Sequence, residues 1–308
     1  MRIGLTTDSL SQLPFDELLE TAASLGIETL EFGCGNWSSA PHLNLDALLE
    51  SESERANFLA EIHAHGLEIS ALNCSGNPLA PGERGKTHDQ VVRHTFKLAR
   101  LLGVRRIVMM SGLPGGPGDQ NANWITTAWP PEVHEILRYQ WEDVALPYWR
   151  DLAQEARRNG IEKICIEQHA HQLVYNTETA LRLCEAIGDL VGINFDPSHA
   201  LWMGGDPLRA IRRLRGAIYH VHAKDTRIDP EQSELNTLLE TKPNDQVAER
   251  AWNYVTLGYG HSEIWWRDFV IQLRQIGYDD VLSIEHEDYS LPPLVGVRRS
   301  VELLRNVI

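Results

Sequence analysis

Two rhythms of apolar and polar positions alternate along the chain. Short, mostly apolar runs over residues 3–6, 29–33, 67–72, 106–110, 163–167, 191–195, 217–222 and 281–285 predict buried strands. Between them, apolar residues recur at helical spacing over 14–25, 45–65, 88–102, 135–159, 178–187, 207–214, 265–276 and 295–307. Gly26, Gly66, Gly103, Gly188 and Gly277 follow five of these helices as stops. The 135–159 helix is expected to be interrupted near Pro147. Eight strands alternating with eight helices imply parallel crossovers, and eight such units in this length predict an α/β fold, a (β/α)₈ TIM barrel. A doubly wound sheet is the alternative, but Thr6-Thr7-Asp8-Ser9 follows the first strand where that fold carries a Gly-rich turn. Neither a domain boundary nor a repeat is visible, so residues 1–308 read as one barrel domain. Two long loops break the rhythm. Residues 112–131, after strand four, are rich in Gly and Pro and hold Trp124 and Trp129. Residues 223–260 follow strand seven. Loops of that length in a compact domain are usually functional or cover a partner.

Composition removes several function classes. The net charge is −15 with no basic run, which argues against a phosphate-backbone grip on nucleic acid. Cys34, Cys74, Cys165 and Cys184 lack paired spacing, against a zinc ribbon or disulfide framework and in keeping with a reducing cytoplasm. No apolar run approaches membrane-spanning length, and the amino terminus turns polar too early for a signal peptide.

The chemistry concentrates at four consecutive strand ends. Glu167 closes Ile164-Cys165-Ile166-Glu167, Asp196 follows Asn194-Phe195, His222 sits in His220-Val221-His222-Ala223-Lys224-Asp225, and Glu285 closes Ser283-Ile284-Glu285. Each follows an apolar residue, so period-two alternation turns it inward. In a barrel of this kind the strand ends ring one mouth, where the chemistry sits. Three carboxylates and one imidazole suit one divalent metal ion, Mn²⁺ first, with Mg²⁺ or Co²⁺ also fitting and Zn²⁺ less so, because oxygen dominates and no thiolate takes part. His169 and Lys224 lie two residues past Glu167 and His222 and share their inward face. His220, below His222, reads as a core histidine, and Glu31 as a polar pocket wall. Trp37, Trp124 and Trp129 stand on loops that could close over a ligand, and His261 either tops the pocket or starts a helix.

These motifs resemble the xylose-isomerase-like TIM-barrel superfamily, in particular its sugar isomerase and epimerase branch with ketose 3-epimerases and inosose dehydratases. The resemblance spans essentially the whole chain. It implies that Glu167, Asp196, His222 and Glu285 bind one metal, often Mn²⁺, and that the two glutamates exchange the substrate's proton. It also implies that His199, three residues past the aspartate, and Arg227, just past strand seven, touch substrate oxygens. The expected function is a divalent-metal-dependent sugar isomerase or epimerase that removes a proton alpha to the carbonyl of a ketose or keto-polyol. A lyase or dehydratase on a keto-sugar, inosose or 3-keto-glycoside shares the first step and is the alternative. Apurinic-site cleavage, also found in the superfamily, needs histidines at the third and fourth strand ends, where Asn73-Cys74-Ser75 and Ser111-Gly112-Leu113 stand. A non-enzymatic scaffold would need all four acid and imidazole ends to be vestigial. The expected partner is a small-molecule sugar, with no nucleic acid and no membrane; a homo-oligomer is compatible with the sequence.

Overall fold

The computed structural model describes residues 1–308 and contains a closed, all-parallel barrel. Its strands are β1 (Arg2–Thr6), β2 (Thr29–Gly33), β3 (Glu68–Asn73), β4 (Arg106–Met110), β5 (Lys163–Glu167), β6 (Val191–Phe195), β7 (Ile218–Ala223) and, after an antiparallel hairpin of β8 (Asp225–Ile228) and β9 (Trp252–Val255), β10 (Val281–Ile284). The order around the barrel is β1-β2-β3-β4-β5-β6-β7-β10, with β10 pairing back onto β1. This is the predicted TIM barrel, with strand boundaries within a residue or two of expectation.

Alternation sorts the side chains as the pattern requires. Phe195 points outward, stacking on Phe269 of the 263–275 helix with ring centroids 6.1 Å apart, so its neighbour Asp196 turns in. The outer layer is apolar: Phe32, Phe96, Trp149, Trp266 and Phe269 are fully buried between strands and helices. The interior is different. Ala71, Val108 and Cys165 form a small apolar patch separate from that core, and above it the inward positions become polar. The strands β6 and β7 slip register between Ile193 and Asn194. Gly192 lies at this slip, where an added Cβ would stand 2.3 Å from the Tyr219 ring, so no larger residue fits.

Several elements differ from expectation. The 45–65 helix is two, Leu45–Glu50 and Glu52–Ala64, because Ser51 is extended and its hydroxyl caps the second by accepting from the Glu54 amide. The 88–102 helix starts earlier, at Glu83. The interruption near Pro147 is a π-helical stretch over Tyr139–Ala145 between two α-helices. Pro147 cannot donate to the carbonyl of residue 143 and its ring would crowd it, so the widened turn sits where the regular ladder cannot form. A short helix, Pro197–Trp202, follows β6. The 223–260 loop holds the β8–β9 hairpin and the Pro230–Asn236 helix.

Ion pairs gather at the floor of the barrel. Asp280 accepts from Arg2 Nη2 at 3.2 Å and from Arg106 Nη2. Burial alone would raise the Asp280 carboxyl, but Arg106 and Arg2 hold it below its ordinary 3.8. Its stabilisation is therefore complete above pH 3.8 and is lost as pH falls through the lower folded value. Asp280→Asn is expected to cost about 1–2 kcal/mol at neutral pH, a figure reduced for partial exposure. Urea denaturation should show that gap narrowing as pH is taken below 3.8; a pH-independent gap would contradict the ionic account.

Candidate metal centre

Four strand ends meet at the mouth. One ligand atom each from Glu167, Asp196, His222 and Glu285 falls within a set whose members all lie within 4.8 Å of one another. Atoms arranged about one cation at metal–oxygen distances of about 2.0–2.4 Å would be spaced comparably. Glu167, Asp196 and His222 are buried, and Glu285 is partly open to solvent. Asp196 serves two purposes. Its Oδ1 caps the 197–202 helix, accepting from the Ser198 amide at 2.8 Å, while Oδ2 points into the cluster. That Oδ2 lies 3.2 Å from both His199 Nε2 and Lys224 Nζ without hydrogen-bond geometry to either. His222 Nδ1 is likewise buried without a hydrogen-bond partner, 3.2 Å from Glu285 Oε2 and 3.7 Å from Glu167 Oε2. Two orphaned buried atoms aimed at the same point, flanked by two further carboxylates, fit a divalent cation.

The surrounding groups are mostly charged. Lys224 Nζ donates to Glu285 Oε2 at 2.6 Å and lies 3.6 Å from Glu287 Oε2. Burial opposes its charge, but Glu285, Glu287 and Asp196 hold it well above the ordinary lysine value. Burial would likewise raise Glu285, yet Lys224 and His222 lower it to about 2. His199 Nε2 donates to Glu167 Oε1 at 2.9 Å. Burial disfavours its cation, but Asp196 more than offsets this and raises it to about 9. His169 packs its ring 4.2 Å from that of His199. Burial, then the His199 charge, depress it to about 3, and its Nδ1–H donates to the Ala170 carbonyl at 2.5 Å.

The chain thus brings His169, His199 and Lys224 to the cluster and leaves Arg227 out. Arg227 is exposed on the hairpin, opposite Asn253, with no ion pair to the site. The hairpin directs outward what a plain loop could have turned in. It supplies another residue instead: the Tyr254 hydroxyl lies 3.0 Å from His199 Nδ1, and its ring face lies 4.6 Å from Lys224 Nζ. The alternating run Trp252-Asn253-Tyr254-Val255 was the sequence signal for this strand. His261 does not top the pocket; its Nδ1 bonds Asp225 Oδ1 at 2.8 Å. Trp124 packs edge-on against His171 and Tyr175, while Trp37 and Trp129 remain exposed. No helix is long and apolar enough to cross a membrane.

Comparison with known proteins agrees with this architecture. The YfiH protein of Bacillus subtilis (strain 168), itself uncharacterized, is 51% identical over 311 residues, covering 100% of this chain and 99% of YfiH. The probable 3-DHS dehydratase AsbF of Bacillus anthracis superposes with a TM-score of 0.70 at 18% identity, over 99% of each chain. An IolI protein with a bound zinc atom gives 0.69 at 19%, over 100% of this chain and 98% of its own. The D-psicose 3-epimerase of Clostridium cellulolyticum H10, solved with D-tagatose, gives 0.68 at 16%, over 100% and 99%. At these identities the three structures establish a shared fold. The model described as xylose isomerase-like TIM barrel matches residues 19–307, and the chain belongs to that family.

Proposed function

We propose that this protein is a divalent-metal-dependent sugar isomerase or epimerase that removes a proton alpha to the carbonyl of a ketose or keto-polyol. The observation that carries the reading is the convergence of the orphaned Asp196 Oδ2 and His222 Nδ1 with Glu167 and Glu285. A cation held by these four residues, Mn²⁺ first and Mg²⁺ or Co²⁺ next for an oxygen-rich set, would polarise the carbonyl and its neighbouring hydroxyl. Glu167 and Glu285 stand on β5 and β10, with β6 and β7 between them. One glutamate takes the alpha proton and the other returns a proton to the opposite face, which inverts the carbon. Lys224, His169 and His199 bind and orient the substrate oxygens.

The Tyr254–His199 pair supports a second reading, a lyase or dehydratase. After the same proton abstraction, the electron pair on carbon can expel a beta oxygen. As the imidazolium, His199 can donate its Nε2 proton to that leaving oxygen and become neutral, while its Nδ1–H stays on the Tyr254 hydroxyl oxygen, which holds the ring in place. Metal-loaded protein incubated in D₂O with ketoses, inososes and 3-keto-glycosides tests both. Deuterium should enter at the alpha carbon. An inverted centre supports the epimerase, and loss of water or of an aglycone supports the lyase. Failure to exchange on every compound, with metal bound, would rule out both. Tyr254→Phe is expected to lower lyase turnover about 10²-fold and to leave alpha-carbon exchange near wild type; an unchanged elimination rate would contradict the positioning of His199 by Tyr254.

A further inference from the structure

A second buried set lies beside the first and shares His222 with it: Glu31, His220 and His222. The Glu31 carboxylate accepts from four side chains, Asn73 Nδ2 at 2.8 Å, His220 Nε2 at 2.8 Å, His222 Nε2 at 3.0 Å and Ser283 Oγ at 3.3 Å. These donors come from β3, β7 and β10, across the barrel from β2. His222 therefore has two faces: Nε2 meets Glu31, and Nδ1 meets the cluster.

A neutral imidazole carries its single proton on one nitrogen, and the other then offers a lone pair. A carboxylate accepts only, so the nitrogen against it must be the one that carries the proton. His220 obeys the same rule. Arg106 Nη1 lies 3.5 Å from its Nδ1, and arginine only donates, so His220 accepts there and its proton also sits on Nε2, facing Glu31. Both histidine protons thus point at one carboxylate. Glu31 Oε2 alone lies 2.8 Å from His220 Nε2 and 3.1 Å from His222 Nε2, so a glutamine can keep both bonds on its one oxygen only by turning its –NH₂ toward the Asn73 Nδ2 donor, and it loses the negative charge that favours both Nε2–H forms.

We propose that Glu31 is a positioning residue that locks His222 in its Nε2–H form and so presents the Nδ1 lone pair to the cation. This deepens the metal reading above and rests on it. It also gives Glu31 and His220 a task other than holding a second ion: their polar atoms are engaged with each other, and the Arg106 guanidinium beside His220 repels a cation.

Mn²⁺ titration followed by electron paramagnetic resonance of the free ion measures affinity and stoichiometry. Wild type is expected to bind one Mn²⁺ per chain, and Glu31→Gln to bind about 10–100-fold more weakly while circular dichroism shows an intact fold. Histidine ¹⁵N spectra of the Zn²⁺-loaded wild type, with His222 assigned by its absence in His222→Gln, should show Nε2 protonated and Nδ1 metal-bound. If wild type binds no metal, the reading of the cluster fails. If wild type binds and Glu31→Gln binds equally well, the positioning role alone is overturned. Protonation of His222 at Nδ1, or two Mn²⁺ per chain, overturns it too. Should Glu31→Gln fail to fold, the wild-type spectrum decides.

Discussion

Glu167→Gln and Glu285→Gln are each expected to abolish conversion of any substrate, lowering turnover about 10²–10⁴-fold with excess metal present. The substitution keeps volume and removes the ability to take a proton. A general base must be ionised and within reach of the proton it removes. Glu285 meets the first condition, held to about 2 by Lys224 and His222 against the opposing effect of burial. Its contribution to stability is complete above the ordinary 4.5 and lost as pH falls toward 2, so the stability gap between wild type and Glu285→Gln should close in acid. The two variants need not be equal in partial reactions. One should still wash solvent deuterium into the alpha carbon while failing to convert it, and that variant retains the glutamate serving the exchanging face. Both variants turning over at the wild-type rate with metal bound would sink the two-glutamate mechanism and move attention to His169, His199 and Lys224. Asp196→Asn removes a charge from the same set and should lower metal affinity; because that charge also offsets the buried His199 and Lys224 cations, stability should fall even without metal, and further by what lost metal explains.

Asp225→Asn is expected to be the most destabilising single change outside the hydrophobic core, costing about 3–5 kcal/mol. The carboxylate is fully buried at the start of β8. Its Oδ1 accepts from Thr226 N at 2.8 Å and His261 Nδ1 at 2.8 Å. Its Oδ2 accepts from Gly258 N at 3.1 Å, Gly260 N at 3.2 Å, His261 N at 3.0 Å and Trp266 Nε1 at 3.3 Å. An amide in that place turns an –NH₂ toward several donors, leaving buried N–H groups unpaired. The glycines allow the approach: a Cβ at Gly260 would stand 2.2 Å from the Thr226 carbonyl oxygen. Since Asp225 ties the two ends of the hairpin segment together, the damage should be local as well as global. Limited proteolysis should cut between residues 229 and 251 faster in the variant, and the Tyr254 contact to His199 should loosen. A variant with wild-type urea midpoint and wild-type cleavage would refute this account.

What could be read from the sequence follows from how far each signal reaches. Glu167, Asp196, His222 and Glu285 were legible because each ends an apolar run, and alternation alone fixes the face. The break at Ser51 is equally local: Ser51-Glu52-Ser53-Glu54 is a capping pattern inside a helical rhythm, and the cap prevails over the rhythm. Asp225 and Tyr254 were harder. Asp225 reads as one more acid in a polar loop until Gly258–His261 is known to lie beside it, 33 to 36 residues away. The bond between Glu31 and His220 spans 189 residues and exists only once the barrel closes. Arg227 shows the converse. Its position after strand seven is the one the resemblance points to, but the chain turns there into the hairpin and leaves Arg227 exposed.

The hairpin's attachment has an evolutionary consequence. Because one carboxylate gathers both roots of the 225–261 segment, residues between Ile228 and Trp252 can lengthen, shorten or be exchanged while the barrel's strands and their four converging side chains stay in register. Lineages could thus vary what the mouth admits by swapping a cassette, with the four converging side chains inherited unchanged. Shuffling the 229–251 stretch among homologues that keep Asp225 and the Gly258-Tyr259-Gly260-His261 turn should therefore yield folded proteins with altered substrate preference.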